Sequence, residues 1–194
     1  MRNSGRGYQN EFRIIGGAWR RRRFSFPALP GIRPSPDRVR ETLFNWLQDR
    51  IAGARCLDLF AGSGALGLEA LSRGAASCVF VDRERPAIEA LRAHLDSLHA
   101  ATGELVCSDA MHYLAGPSRQ FDLIFLDPPF DSGLMQPALT QLMDGGWLTA
   151  EARIYLECAG GRMPELPAGW GMLRNARAGK VEFGLAAAGE PLSP

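Results

Sequence analysis

An α/β fold, a mostly parallel sheet with helices on both faces, is predicted by three features of this sequence. Apolar strand-like runs alternate with amphipathic helical stretches between residues 55 and 158, and such alternation implies crossover helices that cover a parallel sheet on both sides. The first of these runs, Leu57-Asp58-Leu59-Phe60, passes straight into the small-residue loop Ala61-Gly62-Ser63-Gly64 and then into a helical pattern. At 194 residues and 46% hydrophobic the chain suffices for one substantial core and is too short for two comfortable domains. The expected organisation is a small basic β-hairpin arm over residues 1–34, a main domain over 35–186 and a flexible tail over 187–194.

The elements follow in order. Residues 1–10 are polar and glycine-rich, and read as a loose tail. From Phe12 to Pro34, short apolar pairs are punctuated by Gly16-Gly17, Pro27, Pro30 and Pro34, which suits short strands or a hairpin and not a helix. Ser35 reads as an N-cap with Pro36 at the first helical position, and Val39, Leu43, Trp46 and Leu47 share one face of a helix to about Ile51. Arg55 to Phe60 is a buried strand, Gly64 to Arg73 a helix stopped by Gly74, Cys78 to Val81 a strand and Pro86 to Leu98 a helix. Glu104 to Cys107 and Phe121 to Leu126 are strands, with a helical turn at Ala110 to Leu114 between them. Leu134 to Met143 gives a further helix, Ile154 to Cys158 a strand, and residues 170–186 a closing antiparallel hairpin around Ala178-Gly179.

The net charge of only +1 argues, as an average, against a nucleic-acid partner, but the average conceals a polarity. Residues 1–40 carry ten arginines against Glu11 and Asp37, a balance of +8, while residues 41–194 carry −7. Lys180 is the sole lysine, and arginine's planar fork suits bidentate phosphate contacts. Cys56, Cys78, Cys107 and Cys158 form no CxxC pair and show no metal spacing with His94, His99 or His112, so they read as reduced core residues of a cytoplasmic protein without a metal. No apolar run reaches the roughly 20 residues of a membrane helix, and the basic N-terminus lacks the apolar stretch of a secretory signal.

In an open parallel sheet a ligand binds beyond the carboxyl ends of the strands, where the strand order reverses. The strand ending at Asp58 and Phe60 delivers Ala61, Gly62, Ser63 and Gly64, whose small side chains let a ligand approach the backbone at a helix N-terminus. Gly62 to Gly67 satisfies GxGxxG, a weak pattern that keeps a nicotinamide enzyme as a rival. Asp82, beside Arg83, ends the next strand 24 positions after Asp58, where an acid can accept hydrogen bonds from ribose hydroxyls. Asp109 lies just past the third strand, placed for an adenine amino group with Ala110 and Met111 nearby, and equally placed to cap a helix. Asp58 either orients the loop or meets the far end of the cofactor.

Downstream, Asp127-Pro128-Pro129-Phe130 at a strand end can hold a flat base that carries an exocyclic amine. The amine's lone pair is delocalised into the ring, so hydrogen bonds to the Asp127 carboxylate and the Pro128 carbonyl would supply alignment, and Phe130 would stack on a base taken out of its helix or loop. With an acid-lined cofactor loop upstream, this points to methyl transfer from S-adenosylmethionine onto a base amine, with no metal and no covalent nucleophile. Trp19, Phe24 and Phe26 interleave with Arg20, Arg21, Arg22 and Arg23, a composition that suits RNA contact and, alternatively, a solvated charge run. Arg33, Arg38 and Arg40 either extend that surface or reach the cofactor from the helix.

These residues also carry a resemblance. Arg13 to Arg20 (RIIGGAWR), Gly31-Ile32-Arg33-Pro34, Asp37 to Leu47 (DRVRETLFNWL), the loop Asp58 to Gly67, and Asp127 to Phe130 closely resemble the bacterial 16S ribosomal RNA guanine-N2 methyltransferases of the RsmD type, over about residues 12–183. The resemblance implies a Rossmann-like class I methyltransferase fold with seven strands and S-adenosylmethionine as donor. Its implied target is one guanine (966 in the usual ribosomal numbering) of 16S RNA in a small subunit or its assembly intermediate, and a monomer is expected. By motif matching, the donor meets Arg33, Ser35 and Arg38 as well as Asp58 to Gly64, Asp82 and Asp109. The target guanine meets Asp127 to Phe130, and Arg13, Trp19 and Arg20 to Arg23 grip RNA.

Ser35-Pro36 departs from the family's usual pair of threonines, His94 from its frequent asparagine, and Arg21 to Arg23 are more uniformly basic. Two other classes compete: a DNA or RNA adenine-N6 methyltransferase, since the same tetrapeptide holds any base with an exocyclic amine, and an RNA-binding assembly factor without catalysis. Reading a duplex through its grooves would normally need a recognition domain for which this chain has no room.

Overall fold

The computed structural model describes residues 9–28 and 35–188. Arg33, with Gly31, Ile32 and Pro34, lies outside the described residues, as do residues 1–8 and 189–194 of the expected tails. Strands β1 (Gln9–Arg13) and β2 (Arg23–Pro27) pair antiparallel. Then come α1 (Asp37–Trp46), β3 (Arg55–Asp58), α2 (Ala65–Ser72), β4 (Ser77–Asp82), α3 (Arg85–Leu98), β5 (Gly103–Cys107), α4 (Ala110–Leu114), β6 (Phe121–Leu126), α5 (Met135–Asp144), β7 (Leu148–Ala159), β8 (Trp170–Ala178) and β9 (Val181–Ala188). The seven-stranded sheet runs β5-β4-β3-β6-β7-β9-β8, with β3 to β7 mutually parallel and the β8–β9 hairpin antiparallel at one edge. This is the predicted class I methyltransferase architecture.

Alternation along each strand sorts the core into two layers. Leu57 lies in register with Val79 and Ile124, Ile124 with Ile154, and Ile154 with Ala186, and this row packs under α4 and α5. One residue further on, Asp58 is in register with Phe80 and Phe125, Phe125 with Tyr155, and Tyr155 with Leu185. That second row belongs to the layer covered by α1, α2, α3 and the β1–β2 pair. Asp58 is thus a carboxylate in an otherwise apolar row, and a buried charge in such a row calls for a specific reason.

The N-terminal hairpin is built into this layer instead of projecting as an arm. Phe12, Phe24 and Phe26 are buried, the Phe12 ring is tilted against both of the others, and the Phe24 ring centroid lies 4.8 Å from that of His94 on α3. Gly16-Gly17 carries the connecting loop over the end of α2. Buried Glu69 accepts the backbone N–H groups of Ile15 (2.7 Å) and Gly16 (2.8 Å), and Ser72 Oγ accepts from the Trp19 N–H and donates to the Gly16 carbonyl. A Cβ on Gly17, at φ +76°, would sit 1.9 Å from the Ser72 carbonyl oxygen, which is why the loop carries glycine there.

Four expectations change. The N-cap of α1 is Pro36, whose carbonyl accepts from the Val39 and Arg40 N–H groups, because the Ser35 hydroxyl is engaged elsewhere. Strand β7 begins at Leu148, six residues before the apolar run starts, and the far strand β9 reaches Ala188, two residues into the expected tail. Cys107 is exposed while the other three cysteines are buried, all four being free thiols. Among the described residues no group of side chains could hold a metal, and no helix is long and apolar enough to cross a membrane.

Candidate functional site

The strand order reverses between β3, which is followed outward by β4 and β5, and β6, which is followed by β7 on the other side. The loops leaving the carboxyl ends of β3 and β6 therefore flank the crevice where α/β sheets bind ligands. The three strands on one side each lead to an acid: Asp58 at the end of β3, Asp82 at the end of β4 and Asp109 two residues beyond β5.

Asp58 is 3% exposed and its Oδ2 accepts the Gly67 N–H at 2.9 Å, tying the end of β3 to the first turn of α2. Of the two roles anticipated for it, orienting the loop is the one seen here. Burial pushes its carboxyl up to about 7, against the pull of the Gly67 hydrogen bond. Asp82 Oδ2 accepts the Gly62 N–H at 2.7 Å and Oδ1 the Glu84 N–H at 2.8 Å. Half-buried, it too is raised by burial, although both backbone hydrogen bonds oppose the shift. The loop between them is held open by left-handed glycines, Gly62 at φ +50° and Gly64 at φ +76°. Phe60 is half-buried, Ala61 and Ser63 are buried, and Arg83 is exposed and paired with Glu84. Asp109 caps α4 through Oδ1, which accepts from Met111 and His112 N–H groups at 2.9 and 3.2 Å. Its other oxygen has no such partner among the described residues, so capping leaves an acceptor available. Ala110 is buried and Met111 half-buried in the same turn.

On the β6 side, Asp127 is half-buried, Pro128 buried, and Phe130 is 43% exposed. Phe130 is the one exposed large apolar side chain among the described residues, which disposes of a core role for it and leaves a ring free to stack. Ser35, a candidate donor contact, lies 94% buried behind Asp127. Its Oγ donates to Glu157 Oε2 at 2.6 Å and sits 3.5 Å from Asp127 Oδ2. Tyr155 donates its hydroxyl to the same Glu157 oxygen at 2.7 Å. Burial, then the Glu157 and Asp58 carboxylates, push Asp127 well above the usual carboxylate range; the Ser35 contact pulls the other way. Glu157 is also raised by burial, opposed by the hydroxyls of Ser35 and Tyr155. With two hydroxyls donating into one oxygen, Glu157 is the better stabilised anion of the pair. The Ser35 hydroxyl has one proton, given to Glu157, and its oxygen can accept the proton that a protonated Asp127 would donate.

Glu157 and Tyr155 did not figure among the expected site residues. The available signal was an acid interrupting the apolar run Ile154 to Cys158, where burial without a partner is expensive. Glu157, Pro128, Pro129 and Phe130 line one open cavity of about 640 Å³, which Arg162 and Met163 from the segment between β7 and β8 also line.

Of the expected RNA-contact residues, Trp19, Arg20, Arg21 and Arg22 lie on the loop anchored to α2, while Arg13 ends β1 and Arg23 begins β2. Arg20, Arg21, Arg22 and Arg23 are all exposed, Arg21 in the left-handed region at φ +70°. Arg22 donates to the Ser97 carbonyl at 3.3 Å, and Arg13 pairs with Asp37 at 2.6 Å. Trp19 is half-buried against the core, and Phe24 and Phe26 face inward, so the aromatic interleaving serves packing and not base stacking. Arg40 is fully buried between Asp37 (2.6 Å) and Glu69 (3.5 Å) and donates to the Arg13 and Ser35 carbonyls. It joins hairpin, α1 and α2, and is not a surface cation. Arg38 is exposed on α1.

A family model described as conserved hypothetical protein 95 matches residues 12–187. The Escherichia coli (strain K12) protein named ribosomal RNA small subunit methyltransferase D is 45% identical over 186 residues, covering 95% of this chain and 94% of that protein. The Haemophilus influenzae protein of the same name is 38% identical, covering 91% and 94%. Among solved structures, the putative methyltransferase yhhF from Escherichia coli superposes with a TM-score of 0.87 at 44% identity, covering 93% of this chain and 99% of that one. The putative methylase HI0767 from Haemophilus influenzae gives 0.81 at 37% identity, covering 93% and 100%.

Proposed function

This chain belongs to the family described as conserved hypothetical protein 95, and from that membership we propose that it methylates small-subunit ribosomal RNA with S-adenosylmethionine as donor. The target we assign is the exocyclic N2 of a single guanine, position 966 in the usual ribosomal numbering, in 16S RNA of the small subunit or its assembly intermediate. The observation that carries the reading is Asp127-Pro128-Pro129-Phe130 beside the switch point, with its aromatic ring exposed.

The donor set fits the cofactor. Three acids at successive strand ends offer acceptors to a ligand that carries a cationic sulfur, a pair of ribose hydroxyls and an adenine amine. S-adenosylmethionine supplies an activated methyl group on that sulfur. Asp82, rigidly held by the Gly62 and Glu84 N–H groups, has lone pairs left for the ribose hydroxyls, and Asp109 has one oxygen for the adenine amine. The small loop Ala61 to Gly64 allows close approach, with Phe60, Arg83, Ala110 and Met111 flanking it. Arg38 and Arg33 complete the proposed donor contacts from α1 and the segment before it.

Phe130 stacks on the extruded guanine, and the Asp127 carboxylate and Pro128 carbonyl accept from its amine, fixing the nitrogen for in-line attack. As the N2 lone pair formed the new N–C bond, the bond from that carbon to the donor sulfur would break with its electron pair going to sulfur, and Asp127 would take the proton the nitrogen sheds. A carboxylate raised by burial suits that role near neutral pH. Arg20 to Arg23, presented together by the loop on α2 and the start of β2, bind RNA phosphates, with Arg13 at the base of the hairpin. Ser35 is reassigned from the donor to the support of Asp127. Incubating unmethylated 30S subunits with methyl-labelled S-adenosylmethionine tests this: wild type incorporates label, and Asp127→Ala binds the donor but incorporates none. A wild-type protein that binds subunits and donor without transfer would make it an assembly factor instead.

A further inference from the structure

Next to Asp127, across the Ser35 hydroxyl, stands a second carboxylate with an unused acceptor. Glu157 is 3% exposed, yet it lines the 640 Å³ cavity beside Pro128, Pro129 and Phe130. Its Oε2 takes the hydroxyls of Ser35 and Tyr155, which fixes the group's orientation, while Oε1 has no partner among the described residues. Oε1 is not one of the fully buried unpartnered atoms of the described residues, so it is open to the cavity, where the N–H of a bound ligand can reach it. We propose that Glu157 is the specificity-determining residue of the acceptor site, selecting guanine by accepting the N1–H that neighbours the reacting amine. The inference rests on the guanine-N2 reading above.

Base chemistry supports the assignment. Adenine, cytosine and guanine all carry an exocyclic amine that Asp127 and Pro128 can hold. In adenine the Watson–Crick neighbour of that amine is the N1 lone pair, and in cytosine it is the N3 lone pair. Guanine alone presents an N–H donor there. Asp127 and Glu157 stand close enough to share the Ser35 hydroxyl, at 3.5 and 2.6 Å, so one base edge with two adjacent donors can satisfy both. A base that turned a lone pair toward Glu157 would face an anion across a desolvated contact, a repulsive arrangement that discriminates more strongly than a missing attraction.

The test uses small subunits reconstituted with 16S RNA that carries guanine or 2-aminopurine at the target position. 2-Aminopurine keeps the amine and replaces N1–H with a lone pair. Wild type is expected to prefer guanine by roughly 10- to 100-fold in kcat/KM, the worth of one good base-edge contact. Glu157→Gln, whose amide can donate to that lone pair, is expected to shrink the preference about tenfold or more. Loss of guanine O6 is common to both enzymes and cancels in the ratio of ratios. An unchanged preference in Glu157→Gln, with both substrates slowed alike, would reduce Glu157 to a support for Asp127 and overturn the proposal. Equal rates of wild type on the two substrates would overturn it without recourse to any variant, should Glu157→Gln not fold. A wild type that leaves guanine N2 unmodified would instead overturn the function on which the proposal rests.

Discussion

Replacing Asp58 with asparagine should stabilise the protein above neutral pH and leave it almost unchanged below pH 4. The side chain is 3% exposed in an apolar row, and burial pushes its carboxyl up to about 7, whereas in the unfolded chain it titrates near about 3.9. Between those two values the folded state binds more protons than the unfolded state, so stability falls as pH rises, by about 1.4 kcal/mol per unit. The group's penalty is absent below about pH 4 and complete above about pH 7. Summed over that window it amounts to about 2–4 kcal/mol, or about 4–16 °C in Tm for a chain of this size. Asparagine keeps an oxygen for the Gly67 N–H and never ionises. Urea unfolding of both proteins between pH 4 and 8.5 should therefore show Asp58→Asn gaining steadily across the window and levelling off above it. A difference between the two that does not vary with pH would refute the reasoning. The same carboxylate should favour a cationic donor once ionised, so wild-type affinity for S-adenosylmethionine is expected to tighten from pH 5 to 7 and that of Asp58→Asn to tighten less, Asp82 being raised by burial as well.

Gly64→Ala places a Cβ 2.1 Å from Leu91 Cδ2 at φ +76°; left-handed strain and overpacking together should cost about 2–4 kcal/mol, seen as a lower urea midpoint with weaker donor binding in calorimetry. Replacing Arg20, Arg21, Arg22 and Arg23 with glutamine should leave Tm within about 2 °C while flattening the salt dependence of RNA binding by about 0.7–0.9 per lost phosphate contact; an unaltered slope would mean a merely solvated charge run. The acid limb of the kcat/KM profile should lie well above the ordinary carboxylate range, because burial and Glu157 raise Asp127. Removing the neighbouring charge in Glu157→Gln should move that limb to lower pH, and a limb that stays put or moves up would contradict the coupling.

Strands buried on both faces announce themselves locally, which is why β6 falls on the residues expected from sequence, and α4 does so because Asp109 is a local cap for its first N–H groups. The loops that cross from strand to helix at Asp58 and Asp127 were equally legible, since glycines and prolines there answer to backbone geometry. What sequence concealed was long-range polar pairing. Ser35 has the look of an N-cap, and only its partner 122 positions away, Glu157, explains why Pro36 takes that place. Arg40 resembles a surface cation on α1 until Glu69 is seen to bury it. The tetrad at Arg20 was visible as charge, but the inward turn of Phe24 and Phe26 depended on a surface offered by α3. The first half of β7, Leu148 to Ala152, lacks an apolar run because Leu148 and Thr149 are half-exposed and Ala150 and Glu151 exposed before Ala152 turns inside.

The most direct test of the central claim is the identity of the methylated nucleoside, read by mass spectrometry after unmethylated 30S subunits, naked 16S RNA and duplex DNA are each incubated with the protein and labelled S-adenosylmethionine. N2-methylguanosine from the 30S subunit is the predicted product. N6-methyladenine from DNA would keep the fold and the donor crevice but contradict both the assigned target and the guanine-reading role of Glu157.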